Sequence, residues 1–189
     1  MTEVAIQGEL GSFSYDAAAV WFGPRVEILP CPTFPAVFEA LAEGRARRAV
    51  VPVENTVIGS IGETIALLER TRIRRTGEAR LRVDHCLIVA GGTAEADDGV
   101  GGEIRRVASH PVALAQCAAF LRTHPGWNPV EALDTAGAVR ALAEGRLAAD
   151  AVIGSRRAAE RYGCRVLREA IQDEAANFTT FVVLERRYR

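Results

Sequence analysis

Short apolar runs alternate with amphipathic stretches along almost the whole chain. The runs at 4–7, 26–29, 48–53, 106–109, 130–133, 151–153, 165–168 and 179–184 predict β-strands, and a longer run at 81–90 predicts another. Helical periodicity marks 14–22, 34–43, 60–70, 111–122, 135–144 and 155–162. Punctuation supports these spans. Ser14 reads as the N-cap of the first helix and Gly23 as its stop. Gly44 and Gly145 end two others, Pro111 opens a fourth, and Ser60-Ile61-Gly62-Glu63 reads as a capping box. Residues 91–103, dense in Gly and Asp, read as a turn or an exposed hairpin tip. The β-α alternation predicts an α/β fold with mostly parallel sheets.

One stretch occurs twice. Ala40-Leu-Ala-Glu-Gly-Arg45 returns as Ala141-Leu-Ala-Glu-Gly-Arg146, each time closing a helix and feeding an apolar strand. Either two similarly built lobes share the chain, or an Ala-rich sequence repeats itself by chance.

Composition narrows the picture. At 189 residues, 49% hydrophobic and 25% charged, the chain has the profile of a soluble globular protein able to fold without disulfides or metal. A net charge of -1 offers no basic surface for nucleic acid. All 23 basic residues counted as Lys or Arg are Arg, which excludes lysine Schiff bases and a P-loop lysine. With no signal-peptide pattern and no long apolar span, the chain is expected to be cytoplasmic and away from membranes. Cys31, Cys86, Cys117 and Cys164 are scattered without a C-x-x-C, so they read as reduced thiols. A metal site from Cys86, Cys117, His85 and His110 lacks ligand-pair spacing.

In open α/β sheets, ligands bind beyond the carboxyl ends of strands, where loops enter helices. Here those junctions are 8–14, 54–60, 109–111, 134–137 and 154–155, all rich in Gly, Ser, Thr and Asn. Such segments suit an anionic small molecule bound through backbone amides and hydroxyls. Caps and tight turns favour the same residue types, so no single junction carries the assignment alone. Motifs for a serine hydrolase, a zinc protease or a dinucleotide are missing. A site working without cofactor or metal, by positioning and hydrogen bonding, is favoured.

Taken in order, these motifs resemble the catalytic domain of the prephenate dehydratase family. The resemblance rests on Gln7-Gly8 with Gly11-Ser-Phe-Ser14, and on Pro52-Val-Glu-Asn-Thr56 with Gly59-Ser60. It continues through His85-Cys-Leu87, Ser109-His-Pro111, Leu114-Ala-Gln-Cys117 and Asp134-Thr-Ala-Gly137. Ala158-Ala159, Tyr162-Gly163 and Ile171-Gln-Asp173 complete it. The resemblance implies a two-lobed α/β fold like that of type II periplasmic binding proteins, with a central cleft. Lobe 1 would span about 1–78 plus 172–189 and lobe 2 about 79–171, with no regulatory domain. The implied activity is that of a carbon–oxygen lyase in phenylalanine biosynthesis, converting prephenate to phenylpyruvate with loss of water and carbon dioxide. A homo-oligomer, dimer or tetramer, is implied as well, with a small molecule as the ligand.

By that resemblance Thr179 would be catalytic, and Asn55 and Glu54, which follow a buried strand, are expected to line the cleft and join it in catalysis. Thr179 would assist departure of the ring hydroxyl. The substrate-binding residues would be Ser14, Thr56, Gly59, Ser60, Ser109, His110, Thr135, Ala136 and Asn177. One position departs from the family pattern N-x-T-R-F: the segment is Asn177-Phe-Thr-Thr-Phe181, with Thr180 where the family has Arg. Two alternatives stand beside this reading, a non-aromatising prephenate decarboxylase and a non-catalytic small-anion binding or sensor module.

Overall fold

The computed structural model describes residues 2–71, 73–92 and 104–186; residues 93–103 of the Gly/Asp-rich segment lie outside them. The chain divides into two compact units. The first comprises Met1–Val83 and Ala176–Arg189, the second Asp84–Ala175.

The first unit opens with β1 (Thr2–Gln7), α1 (Phe13–Phe22), β2 (Ile28–Cys31), α2 (Phe34–Ala42) and β3 (Ala46–Asn55). A two-residue strand β4 (Gly59–Ser60), α3 (Gly62–Arg70) and β5 (Ile73–Arg82) follow, and the unit is completed from the far end of the chain by β11 (Phe178–Arg186). Its sheet runs β2-β1-β3-β11-β5, with β4 paired to β3. β1, β2 and β3 are parallel, whereas β11 is antiparallel to both β3 and β5. The second unit has β6 (Cys86–Val89), β7 (Arg106–Ser109), α4 (Pro111–Gln116), α5 (Ala118–Arg122) and β8 (Asn128–Glu131). It continues with α6 (Thr135–Ala143), β9 (Ala151–Gly154), α7 (Arg156–Tyr162) and β10 (Arg165–Arg168). Its sheet runs β10-β6-β9-β7-β8.

Each unit therefore repeats one plan. Three parallel strands lie in the order second-first-third, a fourth strand is antiparallel beside the third, and a fifth lies beyond it. The fourth strand is the one that does not follow in sequence: β11 in the first unit, β6 in the second. This exchange makes the sheets mixed, contrary to the mostly parallel pairing expected from β-α alternation.

The repeated hexapeptide marks equivalent points of this plan, the end of α2 before β3 and the end of α6 before β9. In both copies the Arg amide reaches back to the first Ala carbonyl, at 2.9 Å for Arg45 to Ala40 and 2.8 Å for Arg146 to Ala141. This is a Schellman closure, with Gly44 at φ 76° and Gly145 at φ 64° in the left-handed region it requires.

Side-chain alternation along β1, β3 and β11 covers both faces of the first sheet. Ala5, Ala49, Val51, Val182 and Leu184 pack with Val37 and Phe38 of α2. Val4, Ile6, Val50, Phe181 and Val183 pack with Tyr15, Ala17 and Ala18 of α1. Burying Phe181 completely contributes on the order of 1.5–3 kcal/mol.

Several local expectations change. α1 is capped by Ser12, whose hydroxyl accepts from the Tyr15 amide at 3.2 Å, not by Ser14. α3 begins after Ile61 with no side-chain cap, so Ser60-Ile61-Gly62-Glu63 is not a capping box; Ser60 instead pairs with Glu54 in β4. The expected helix at 111–122 breaks at Cys117 into α4 and α5. The long strand expected at 81–90 is two, because residues 83–85 pass from β5 to β6. β5 itself escapes the hydrophobic pattern: its ten residues are Arg-rich and alternate between exposed and half-buried.

Trp21 of α1 lies over Gly77 of β5, where a Cβ would overlap the indole. Gly77→Ala is expected to cost about 1–3 kcal/mol through overpacking, read as a lowered Tm, and Trp21→Ala in that background to recover part of it.

In the second unit His85 is buried. Its Nε2 lies 2.8 Å from Gln116 Oε1, and its amide donates to Gln172 Oε1 at 2.9 Å. Gln172 Nε2 donates in turn to Asp84 Oδ1 at 2.8 Å. Burial is the main influence on the ring and depresses its pKa. The folded state thus favours neutral His85, while an unfolded histidine titrates near about 6.5. The stability this contributes is complete above that value and lost as pH falls below it. Thermal unfolding from pH 8 to pH 5 is expected to show a smaller acid loss of Tm in His85→Gln than in the parent.

Candidate active site

β1 and β3 are parallel and β11 is antiparallel, so their carboxyl, carboxyl and amino ends meet at one edge of the first sheet. That edge carries the loop from β1 to α1, the turn after β3 and the start of β11. Asn55 closes β3 and stands directly across from Thr179. Its amide lies at 4% exposure, and Asn177 and Thr179 beside it are buried too.

The Asn55 side chain makes four contacts. Oδ1 accepts from the amides of Val57 at 2.9 Å and Ile58 at 3.2 Å, which identifies that end of the group as the oxygen. Nδ2 donates to Asn177 Oδ1 at 2.7 Å and to Thr179 Oγ1 at 2.8 Å. Both donors and both acceptor sites of the amide are thus engaged by protein. Thr179 Oγ1 accepts from Asn55, so its own hydrogen does not point at that amide and stays able to serve another acceptor.

A β-bulge places these two residues on one face. Further along the ladder Val51 opposes Val182 and Pro52 opposes Phe181, but Glu54 opposes Thr180 and Asn55 opposes Thr179. The extra residue, Val53, shifts the parity of β3. Without it Glu54 would face Thr179. With it Asn55 does, on the α1 side of the sheet, where Leu81 across from Thr179 also packs. Pro52, which has no N–H to give the ladder, is tolerated at this irregularity.

Thr56 fastens the adjoining backbone. Its amide donates to the Phe178 carbonyl at 2.9 Å, and its hydroxyl donates to the Ala176 carbonyl at 2.8 Å and accepts from the Phe178 amide at 2.9 Å. Gly59, at φ 79°, completes the turn and pairs with Asn55, while Ser60 pairs with Glu54; both are exposed, as is Glu54. Val57 and Ile58 are also exposed, at the tip of the turn. Ser14 lies in the first turn of α1 at the same sheet edge, and its side chain is buried.

The remaining expected residues belong to the second unit, at the carboxyl edge of β7, β8 and β9. Ser109 is fully buried and its hydroxyl donates to the Ile153 carbonyl at 2.6 Å. His110 is the N-cap of α4, its Nδ1 accepting from the Val112 amide at 3.2 Å. Asp134, not Thr135, caps α6, accepting from the Gly137 amide at 2.7 Å. Thr135 is the first residue of that helix and half-buried, and Ala136 is in the core. Among the described residues no group of three or more His, Cys, Asp or Glu could hold a metal ion. All four cysteines are free, and burial pushes the Cys117 thiol up to about 12, far from a nucleophilic thiolate at neutral pH.

Compared with known proteins, residues 4–189 match a family model described as prephenate dehydratase. The chain belongs to the prephenate dehydratase family. Arogenate dehydratase 1 of Petunia hybrida is 43% identical over 185 residues, 97% of this chain and 42% of that protein. The bifunctional chorismate mutase/prephenate dehydratase of Escherichia coli is 34% identical over 187 residues, 97% of this chain and 47% of that protein. The chain thus spans less than half the length of these relatives. Among solved structures, the prephenate dehydratase of Arthrobacter aurescens in complex with L-Phe superposes with a TM-score of 0.84 at 26% identity, covering 100% of this chain and 61% of that one. A protein described as a novel type of quorum-quenching acylase superposes at 0.80 with 35% identity, covering 98% of this chain and 64% of that one. Among the described residues no helix is long and apolar enough to cross a membrane.

Two features of this edge differ from the sequence expectation: Ser12 rather than Ser14 is the N-cap, and Val53 forms a bulge. A Ser two residues nearer the loop was the available sign of the first. Pro52 inside an apolar strand was the sign of the second.

Asn55→Asp exchanges the donor to Asn177 and Thr179 for an acceptor while keeping the partner of Val57 and Ile58. It is expected to cost about 1–3 kcal/mol, read by chemical denaturation.

Proposed function

We propose that this protein is a prephenate dehydratase, a carbon–oxygen lyase of phenylalanine biosynthesis that converts prephenate to phenylpyruvate. Membership of the family supports the reaction class. The observation that carries the reading is the buried Thr179 hydroxyl, held by the Asn55 amide with its own hydrogen left to donate.

In this reading Thr179 donates to the ring hydroxyl as its C–O bond breaks. The ring carboxylate leaves as carbon dioxide, and the electron pair of its C–C bond completes the aromatic ring as the hydroxyl departs. The departing oxygen takes a proton and leaves as water. A threonine hydroxyl is a weak acid, so its contribution is a hydrogen bond strengthening with the negative charge on that oxygen, and the proton comes ultimately from solvent. Asn55 acts on Thr179 rather than on the substrate: it fixes the hydroxyl and, through Val57 and Ile58, the turn beside it. Asn177 shares that amide. Glu54 and Ser60 present polar side chains from the opposite face of the same edge. Ser109, His110, Thr135 and Ala136 are secondary in this assignment, since Ser109 and His110 already serve the second unit's own backbone.

Arogenate is the second substrate to consider, because several relatives of about 40% identity carry that name. It differs from prephenate in the side chain, not in the ring chemistry. We also place the protein in the cytoplasm, and as a homo-oligomer whose mass light scattering of the purified chain checks.

Incubation with prephenate or arogenate, followed by NMR of the products, is expected to give phenylpyruvate or phenylalanine above the uncatalysed rate. Thr179→Ala is expected to lower kcat by about 10²–10⁴-fold and Thr179→Ser by much less. Near-normal turnover in Thr179→Ala would remove the hydroxyl from the mechanism. A decarboxylated, non-aromatic product would replace the dehydratase reading with that of a decarboxylase.

A further inference from the structure

Thr180 sits across from Glu54 on one side and from Arg80 on the other. Directly opposed residues share a face, so these three lie in a row on the side of the sheet away from the Thr179 hydroxyl. Phe178 is two residues earlier on β11 and belongs to the same face. The Arg80 guanidinium lies over its ring, 4.8 Å from the centroid. Phe178 immediately precedes Thr179, and its amide and carbonyl are the groups fastened by Thr56. At the first residue of β11, the backbone that presents Thr179 is thus held by Thr56 along the ladder, while the ring next to it is covered by Arg80.

Position 180 leaves room for that contact. Threonine is short and neutral, so it neither covers the Phe178 ring nor repels Arg80, which stands directly across from it. Glu54, across from Thr180 on the other side, and Arg82, across from Phe178, share this face.

We propose that Arg80 is a positioning residue for Thr179, clamping Phe178 at the start of β11. Its effect on catalysis rests on the dehydratase reading above, but its effect on Phe178 does not. The guanidinium is exposed, so replacing it leaves the core intact.

The test compares the parent chain with Arg80→Thr and the conservative variant Arg80→Lys. With prephenate, or arogenate if that is the substrate turned over, Arg80→Thr is expected to lower kcat about three- to fivefold with KM little changed, the size of an exposed cation–π contact. Arg80→Lys, which keeps a cation beside the ring, is expected to stay nearer the parent. In parallel, hydrogen exchange at the Phe178 amide is expected to quicken in Arg80→Thr and less so in Arg80→Lys. Unchanged exchange in Arg80→Thr, or an Arg80→Lys variant no better than Arg80→Thr, would overturn the proposal. So would a raised KM at constant kcat, which would make Arg80 a direct substrate contact. If the parent turns over neither substrate, the dehydratase reading fails, and the exchange rates alone decide for or against the clamp.

Discussion

Everything at the candidate site depends on one amide. Asn55 lies 122 residues from Asn177 and 124 from Thr179 in sequence, yet a single Nδ2 joins all three while Oδ1 holds the following turn. An amide is suited to this because it offers two donors and two acceptors on one rigid plane. A carboxylate cannot donate, and a hydroxyl cannot reach four partners. The arrangement is buried, so each contact is stronger than it would be in water and each missing partner costs more. That one group holds both the Thr179 oxygen and the loop beside it.

The amide meets Thr179 only because the sheet is built in a particular way. β11 returns from the far end of the chain to occupy the place between β3 and β5, with Phe181 to Leu184 buried on both faces to hold it there. That burial sets the register strongly, since a slip of one residue would turn Phe181 and Val183 to the wrong side. Register in the core and register at the site nevertheless differ by one, and Val53 absorbs the difference. The strand is therefore tuned twice, once for packing and once to bring Asn55 rather than Glu54 beside Thr179.

Much of this was legible in the sequence, and the limits have physical causes. Helices closed by Gly44, Gly145 and Gly23 were readable because a positive φ after the last turn leaves a glycine signature. Strands buried on both faces, such as β1, β3 and β9, were readable as apolar runs. β5 was not, because it is an edge strand whose exposed face is Arg-rich, and its stability comes from pairing with β11 rather than from its own pattern. The parallel bias of the expected sheets failed for a related reason: β-α alternation describes neighbours in sequence, whereas β6 and β11 are each inserted into a sheet whose other strands lie elsewhere in the chain. The site residues of the first unit were legible as motifs, but not their division of labour. Nothing in Glu54-Asn55-Thr56 alone says which side chain meets Thr179, since that depends on a bulge two residues earlier.

The shared plan of the two units sharpens that point. In the second unit β6 holds the place that β11 holds in the first, and the pair Cys86 and Gly154 corresponds to Thr179 and Asn55. There the third strand ends in Gly154, packed against Val139 and Ile88 with no room for a side chain, and the next residue, Ser155, caps α7 through the Ala158 amide. The same backbone position thus serves packing and capping in one unit and a four-contact amide in the other. Topology supplies an equivalent edge twice, and the chemistry differs because only the first copy places a saturated amide beside a hydroxyl. The end residue of the third strand, rather than the fold as such, separates an edge that packs and caps from one that holds a hydroxyl.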